Sequence, residues 1–169
     1  LQSGDDMILK RMKRRHLRDH SIRFCHEVRA LRPDAVFGAD IIAGFPTETE
    51  AMFDNSLKIV AECGLTHLHV FPFSPREGTP AARMPQLDRR IVKDRAARLR
   101  AAGEAAYGAH LETLVGSTQK LLIERDGIGR TEGFALAAVA AGAPGEIVSG
   151  RITGHDGALL KAQFLAEAA

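Results

Sequence analysis

Apolar residues recur at helical spacing through the first thirty positions, condense into short unbroken runs, and return to helical spacing in between. Met7, Ile8, Leu9 and Met12 predict a short helix opened by Ser3 and Asp6, a capping-box-like pair with a carboxylate where Glu or Gln is preferred. Ile22, Cys25, Val28 and Leu31 form one stripe of a second helix from about Asp19 to Leu31, stopped by Pro33. The run VFGADIIAG, residues 36–44, is apolar on both faces, the pattern of a parallel strand buried between layers. Thr49 caps a further helix, in which Met52, Phe53, Leu57 and Val60 keep helical spacing until Gly64 closes it. THLHVF, residues 66–71, is a second strand.

Helix, strand, helix, strand, with connections too long for hairpins, predicts βα repetition in a parallel sheet. Residues 72–85 carry Pro72, Pro75, Pro80 and Pro85 and read as a rigid loop leaving the second strand. A long Ala/Arg-rich helix follows from about Leu87 to about Leu111, with Ile91, Leu99 and Leu114 marking its apolar side. From about Leu114 the texture changes to short β-like segments separated by DG, GAPG and GHDG turns, which predicts a small antiparallel barrel or sandwich. The chain therefore reads as two domains, residues 1–113 and 114–169. Two strands and three helices are too few for a parallel sheet covered on both faces, and LQSGDD resembles the end of a strand. The first domain thus reads as part of a larger one.

At 45% hydrophobic and 26% charged residues, the composition is that of an ordinary soluble globular protein. No apolar stretch approaches the roughly 20 residues needed to span a bilayer, and no leader-like segment opens the chain, so a cytoplasmic protein without membrane contact is expected. Cys25 and Cys63 sit far apart in helical, apolar surroundings and read as buried free thiols rather than a metal or disulfide pair.

The net charge of +2 conceals segregation. Nine Lys/Arg lie between Lys10 and Arg32 against Asp19 and Glu27, and seven between Arg83 and Arg100 against Asp88 and Asp94. LKRMKRRHLR places positive charge on several faces of a helix, which suits phosphate contact, so Lys10, Arg11, Lys13, Arg14, Arg15 and Arg18 are candidate nucleic-acid ligands. In the tail only Arg125, Arg130 and Phe134 form a candidate contact patch.

AGFPTETE, residues 43–50, leaves the carboxyl end of a parallel strand, where ligands bind, and Gly44 removes a side chain so that a flat group can approach the backbone. The plainer alternative is a βα turn whose Glu48 and Glu50 favour the helix dipole. The glycine belongs to neither a G-x-G-x-x-G nor a Walker loop. Gln2, Ser3 and Asp5 can bond ribose hydroxyls or an amino-acid head group, although Ser3 serves equally as a helix cap. His16 and His20, and His67 and His69, lack a convergent carboxylate or cysteine at ligand spacing and read as solvated or core histidines. No Ser-His-Asp or Cys-His arrangement follows from spacing.

Three segments together, LQSGDDMILKRMKRRH, DIIAGFPTETEAMFDNS and HVFPFSPREGTPAARM, resemble the later part of a radical S-adenosylmethionine tRNA methylthiotransferase. The double Asp and LKRMKRRH most resemble the branch acting on threonylcarbamoyladenosine beside the anticodon, and LVGSTQKLLIER with GRTEGF resembles the terminal TRAM domain. The resemblance implies an α/β first domain, the carboxyl-terminal portion of a partial (β/α) barrel, followed by a small all-β TRAM-like barrel. It implies that Gln2, Ser3 and Asp5 meet the ribose and methionine portions of S-adenosylmethionine. Ile42, Ala43 and Gly44 would line the adenine, and Val70 and Phe71 would meet it through the backbone. Arg76 falls in a family motif without an assigned role. The C-x-x-x-C-x-x-C ligands of the [4Fe–4S] cluster are absent from this sequence, and Cys25 and Cys63 do not replace them, so the chain alone is expected to be inactive, with no metal site and no catalytic residue of its own. Asp40 stands where a glycine can occur in the family, and Glu48 is displaced by one place.

The expectation is therefore part of a tRNA methylthiotransferase that adds a methylthio group to carbon 2 of threonylcarbamoyl-modified adenosine. Isopentenyladenosine and a ribosomal-protein aspartate remain alternative targets. A non-catalytic RNA-binding module is the alternative from another class, and an exposed sheet edge offers a template for self-association.

Overall fold

A computed structural model describes residues 1–166; the last three residues of the second expected domain lie outside it. The chain divides into two compact units between Ala106 and Tyr107. In the first, helices α1 (Asp6–Arg11), α2 (Arg18–Leu31) and α3 (Glu50–Cys63) accompany strands β1 (Phe37–Ala43) and β2 (Leu65–Pro72), which pair in parallel. A 3-10 turn at Ala81–Arg83 precedes helix α4 (Arg89–Leu114), whose residues from Tyr107 onward belong to the second unit.

Local chemistry sets most boundaries. Thr49 accepts a hydrogen bond from the Met52 amide at 3.3 Å at the start of α3, and Gly64 ends it in the left-handed region at φ 57°. At α1 the expected Ser3 cap is displaced by Asp5, whose Oδ1 accepts from the Met7 and Ile8 amides at 3.0 and 3.2 Å. Ser3 is instead fully buried. The basic run is not one helix: α1 stops at Arg11. The Arg14 amide donates to Leu9 O and the Lys13 amide to Lys10 O, closing a Schellman turn with Lys13 at φ 60°.

The expectation that residues 36–44 are buried on both faces is corrected. Ile41 and Ala43 are fully buried, whereas Gly38 and Asp40, on the opposite face, are exposed. In α4 the buried stripe is Val92, Ala96 and Leu99 rather than Ile91, which is 42% exposed. Offsetting the stripe by one residue turns Arg95 inward. The first core gathers Phe53, Ile59, Val60 and Cys63 of α3 with Cys25, Ile41, Ala43, Leu65, Ala96 and Leu99.

In the second unit β3 (Thr118–Arg125), β4 (Ile128–Thr131), β5 (Leu136–Val139), β6 (Ile147–His155) and β7 (Leu160–Leu165) close a barrel in the order β3-β4-β5-β7-β6. The ladders are antiparallel except β5 with β7, which runs parallel and differs from the all-antiparallel expectation. Leu111, Leu121, Ile123, Ala135, Ala137, Val139, Ile152 and Leu160 fill the core. Gly129 and Gly150 admit this packing, since a Cβ on Gly150 would stand 2.9 Å from Leu121 Cδ1.

Two glycines test how close the packing is. A Cβ on Gly4 would stand 2.3 Å from the Asn55 carbonyl oxygen, backbone against backbone, while one on Gly108 in α4 would meet nothing within 4 Å. Gly4→Ala is expected to lower unfolding free energy by about 1–3 kcal/mol. Gly108→Ala should raise it by roughly 0.5–1 kcal/mol through helix propensity. Urea titrations of both variants check the contrast.

Candidate functional site

Strand periodicity splits the β1–β2 pair into two unlike faces. Phe37, Ala39, Ile41 and Ala43, with Leu68 and Val70, pack on the first core. The cross-strand pairs Gly38 with His67, Asp40 with His69 and Ile42 with Phe71 lie on the other face. That face is open, with Phe71 52% exposed. Beyond the strand ends, the Phe73 amide donates to Ala43 O at 2.8 Å, extending the pairing into the proline-rich loop. Phe73 then meets Phe45 edge to face at 5.3 Å, tying this loop to the one after β1. A cavity of about 460 Å³ results, lined by Gln2, Asp40, Ile42, Phe71, Arg76 and Thr79 among others. The Gln2 carbonyl accepts from the Ile42 amide at 3.0 Å, and Thr79 Oγ1 donates to the Arg76 carbonyl at 2.7 Å.

The loop after β1 is fixed from beneath. Glu48, with its side chain fully buried, accepts from the Gly44 amide at 3.0 Å and from Arg95 Nη1 at 2.9 Å through Oε2. Arg95 also donates to the Glu48 carbonyl at 2.9 Å and to Glu50 at 3.0 Å, and its guanidinium lies 5.3 Å from the centre of the Phe53 ring. Burial pushes the Glu48 carboxyl above the ordinary range, opposed by the Gly44 amide and by Arg95. Hydrogen bonding from Arg98 holds the exposed Glu50 carboxyl below it.

Gly44 has φ +75°, and a Cβ there would stand 2.7 Å from Val92 Cγ2. Conformation and α4 therefore both require the glycine, and the space its missing side chain leaves is taken by Val92 rather than kept for a flat ligand. Gly44 lines a separate cavity of about 450 Å³ on the far side of the Pro72–Ser74 strap, bounded also by Gln86, Arg89 and Lys93.

Of the residues assigned to cofactor contact, Gln2, Ile42 and Phe71 come together around the open-face cavity. Ala43 and Val70 turn their side chains into the core, and the Val70 carbonyl accepts from Arg100 at 3.3 Å. Ser3 Oγ lies 3.3 Å from Ser56 Oγ, and Asp5 Oδ2 accepts from Asn55 Nδ2 at 2.9 Å while Oδ1 caps α1. Asp40 and Arg76 join the cavity without having been assigned to it. The two-residue spacing from Gly38 through Asp40 to Ile42 is the signal that could have found Asp40.

The basic residues divide as sharply. Lys10, Lys13, Arg14 and Arg15 are exposed, while Arg11 reaches the Thr47 carbonyl at 3.4 Å. Arg18 is structural: it donates to the Gly4 and Asn55 carbonyls, both at 2.8 Å, and pairs with Glu62. On the barrel, Arg130 forks onto Glu124 at 2.7 and 3.2 Å and donates to the Phe134 carbonyl at 2.9 Å. It thereby braces Phe134, a 65% exposed aromatic at φ 64°, and Arg125 is exposed nearby in sequence.

Cys25 and Cys63 are buried free thiols. Burial, then the neighbouring Cys25, pushes the Cys63 thiol up to about 12. Among the described residues no three His, Cys, Asp or Glu side chains group for a metal, and no helix is long and apolar enough to cross a membrane.

No protein-family model matches the chain. It is 56% identical over 79% of its length to a threonylcarbamoyladenosine tRNA methylthiotransferase of Rickettsia prowazekii, covering 32% of that protein. It is 42% identical over 75% of its length to a tRNA-2-methylthio-N(6)-dimethylallyladenosine synthase of Erythrobacter litoralis, and 39% identical over 90% to one of Frankia alni, covering 29% and 34% of those proteins. By sequence, then, the chain is similar to one part of the tRNA methylthiotransferases. It spans about a third of the length of the curated relatives it matches.

The buried pair yields a pH-dependent prediction. Arg95→Ala leaves the Glu48 carboxylate buried without its cation and should cost about 3–5 kcal/mol at neutral pH. A carboxyl raised by folding contributes stability that is fully present below its unfolded value and is lost as pH rises through its folded value. Removing Arg95 raises that folded value further, so the deficit should shrink as pH falls through it towards the unfolded one. Urea unfolding of both proteins at pH 7.5 and near pH 4.5 measures this; a deficit independent of pH contradicts it.

Proposed function

We propose that the chain is part of a tRNA methylthiotransferase that, as a complete protein, adds a methylthio group to carbon 2 of threonylcarbamoyl-modified adenosine beside the anticodon. The similarity at 56% identity over 79% of the chain carries this reading, and it exceeds the 42% and 39% found with the dimethylallyladenosine enzymes. The first unit then represents the carboxyl-terminal portion of a partial (β/α) barrel and the five-stranded barrel a TRAM-like RNA-binding domain. The partner is tRNA and the compartment the cytoplasm. Each strand of the two-stranded sheet has one edge without a further strand among the described residues, a template for pairing with another segment or another chain.

The open face of that sheet fits S-adenosylmethionine in size and chemistry. A cavity of about 460 Å³ offers apolar Ile42 and Phe71 for a purine, Gln2 and Asp40 for hydroxyl or amino groups, and an Arg76 guanidinium without an ion pair among the described residues. Bound there, the cofactor would supply hydrogen-abstraction chemistry toward the target adenosine, with the cleaving electron coming from a cluster held by another part of the complete enzyme. This chain's residues would hold and orient it: Asp40 would accept hydrogen bonds, Arg76 would meet a carboxylate, and Phe71 would cover the ring.

An iron–sulfur cluster does not fit these residues. Such clusters take thiolates, whereas Cys25 and Cys63 number only two and Cys63 holds its proton tightly inside the core. In this reading the cluster ligands belong to another part of the complete enzyme.

Nucleoside mass spectrometry of tRNA from cells lacking the gene tests the activity. The methylthio group on threonylcarbamoyladenosine should disappear, and its persistence overturns the reading. For the cofactor face, S-adenosylmethionine added to the isotope-labelled chain should shift the amide resonances of Ile42 and Phe71 and leave those of the barrel core at Ile123 and Ile152 in place. Phe71→Ala should weaken that binding by about tenfold.

A further inference from the structure

We propose that the cavity beneath the Pro72–Ser74 strap is a second ligand site, in which Arg89 and Lys93 hold a backbone phosphate of the RNA substrate. The inference rests on the reading of the chain as an RNA-modifying component. The cavity has a volume of about 450 Å³ and lies apart from the cofactor face; Pro72, Phe73 and Ser74 border both.

Two cations without a partner among the described residues, close together on one helix, mark this cavity. α4 and its approach are rich in arginine, and the neighbours of Arg89 and Lys93 are neutralised. Arg90 pairs with Asp88, Arg95 with Glu48 and Glu50, and Arg98 with Glu50, Asp54 and Asp94. Arg89 and Lys93 have neither a side-chain hydrogen bond nor an ion pair among the described residues. They stand four apart, hence on one helix face, where like charges repel. They also occupy the opening turns of α4, whose first turn contains no acid and whose amide end already carries partial positive charge. Asp88, the adjacent carboxylate, is turned onto the Arg90 amide at 2.7 Å. Two unfavourable contributions, mutual repulsion and the helix dipole, thus meet on one wall of a cavity, and one bound anion relieves both.

A phosphodiester suits the site better than a small carboxylate. Two long cationic side chains spaced by one helical turn match the spread of phosphate oxygens, and Gln86 and Ser74 in the same wall add neutral hydrogen-bonding groups. The shared border at Pro72–Ser74 sets the phosphate beside the proposed cofactor face.

Fluorescence anisotropy of the 169-residue chain with a labelled anticodon stem-loop RNA tests this, with inorganic phosphate titrated separately as competitor. Arg89→Ala with Lys93→Ala should weaken RNA binding on the order of tenfold and reduce the slope of log affinity against log salt by about 0.7 to 1. Arg90→Ala should leave both unchanged, and Arg89→Lys with Lys93→Arg should restore most of the affinity, which a folding defect would not permit. Phosphate should compete only at millimolar concentration. If the unaltered chain binds RNA and the double alanine variant binds it equally, or if Arg90→Ala does the same damage, the site assignment falls and the RNA reading stands. If the unaltered chain binds no RNA, both fall. A variant that loses phosphate competition while keeping full RNA affinity marks a small-anion site and also overturns the proposal.

Discussion

The buried ion pair between Glu48 and Arg95 is the contact around which the first unit is arranged. Two charges removed from water gain stability over an apolar pair only when nearly every hydrogen-bonding position is used. Here one carboxylate oxygen serves both the Gly44 amide and the guanidinium, and the guanidinium returns to the Glu48 carbonyl and across to Glu50. The other carboxylate oxygen and Arg95 Nε have no partner, so the arrangement is costly, and what it secures is geometry. An apolar contact would tolerate sliding of α4 along the loop, whereas these bonds fix one rotation of the helix. That rotation sets Val92 against Gly44 and directs Arg89 and Lys93 toward the strap.

The sheet inherits its asymmetry from the same constraint. With α3 and α4 both drawn to one side, Ile41 and Ala43 are sealed while Asp40, Ile42 and Phe71 are left on an uncovered surface. An uncovered sheet face with a carboxylate in its middle is poor for stability and good for recognition, because it pairs a flat apolar floor with fixed polar groups. The proline-rich loop then encloses part of that floor, held through the Phe45–Phe73 contact and the Ala43 carbonyl.

Positive charge is put to two uses along the chain. Arg18, Arg29, Arg95 and Arg130 act as struts: each donates to backbone carbonyls remote from or beyond its own element, and three of them also meet carboxylates. The guanidinium fork suits this, since several donors can be satisfied at once. Lys10, Lys13, Arg14 and Arg15 remain in solvent, as do Arg89 and Lys93. Cations of this second kind are available to a polyanion without dismantling the fold.

The sequence by itself determined the element order of the first unit, the caps at Thr49 and Gly64, the change to β texture near Leu114, and the similarity to the methylthiotransferases. These are set by spacing, by single-residue conformational preference and by identity along the chain. It did not determine which helix faces are buried, which carboxylate caps α1, or what Gly44 is for. Ile91 and Val92 are both apolar, Ser3 and Asp5 both cap helices, and a glycine next to a ligand looks the same as one beneath a valine. Tertiary structure decided those matters, because Arg95 has to reach Glu48, Asn55 and Ser56 have to meet residues 3–5, and both demands join positions some fifty residues apart that no local pattern connects.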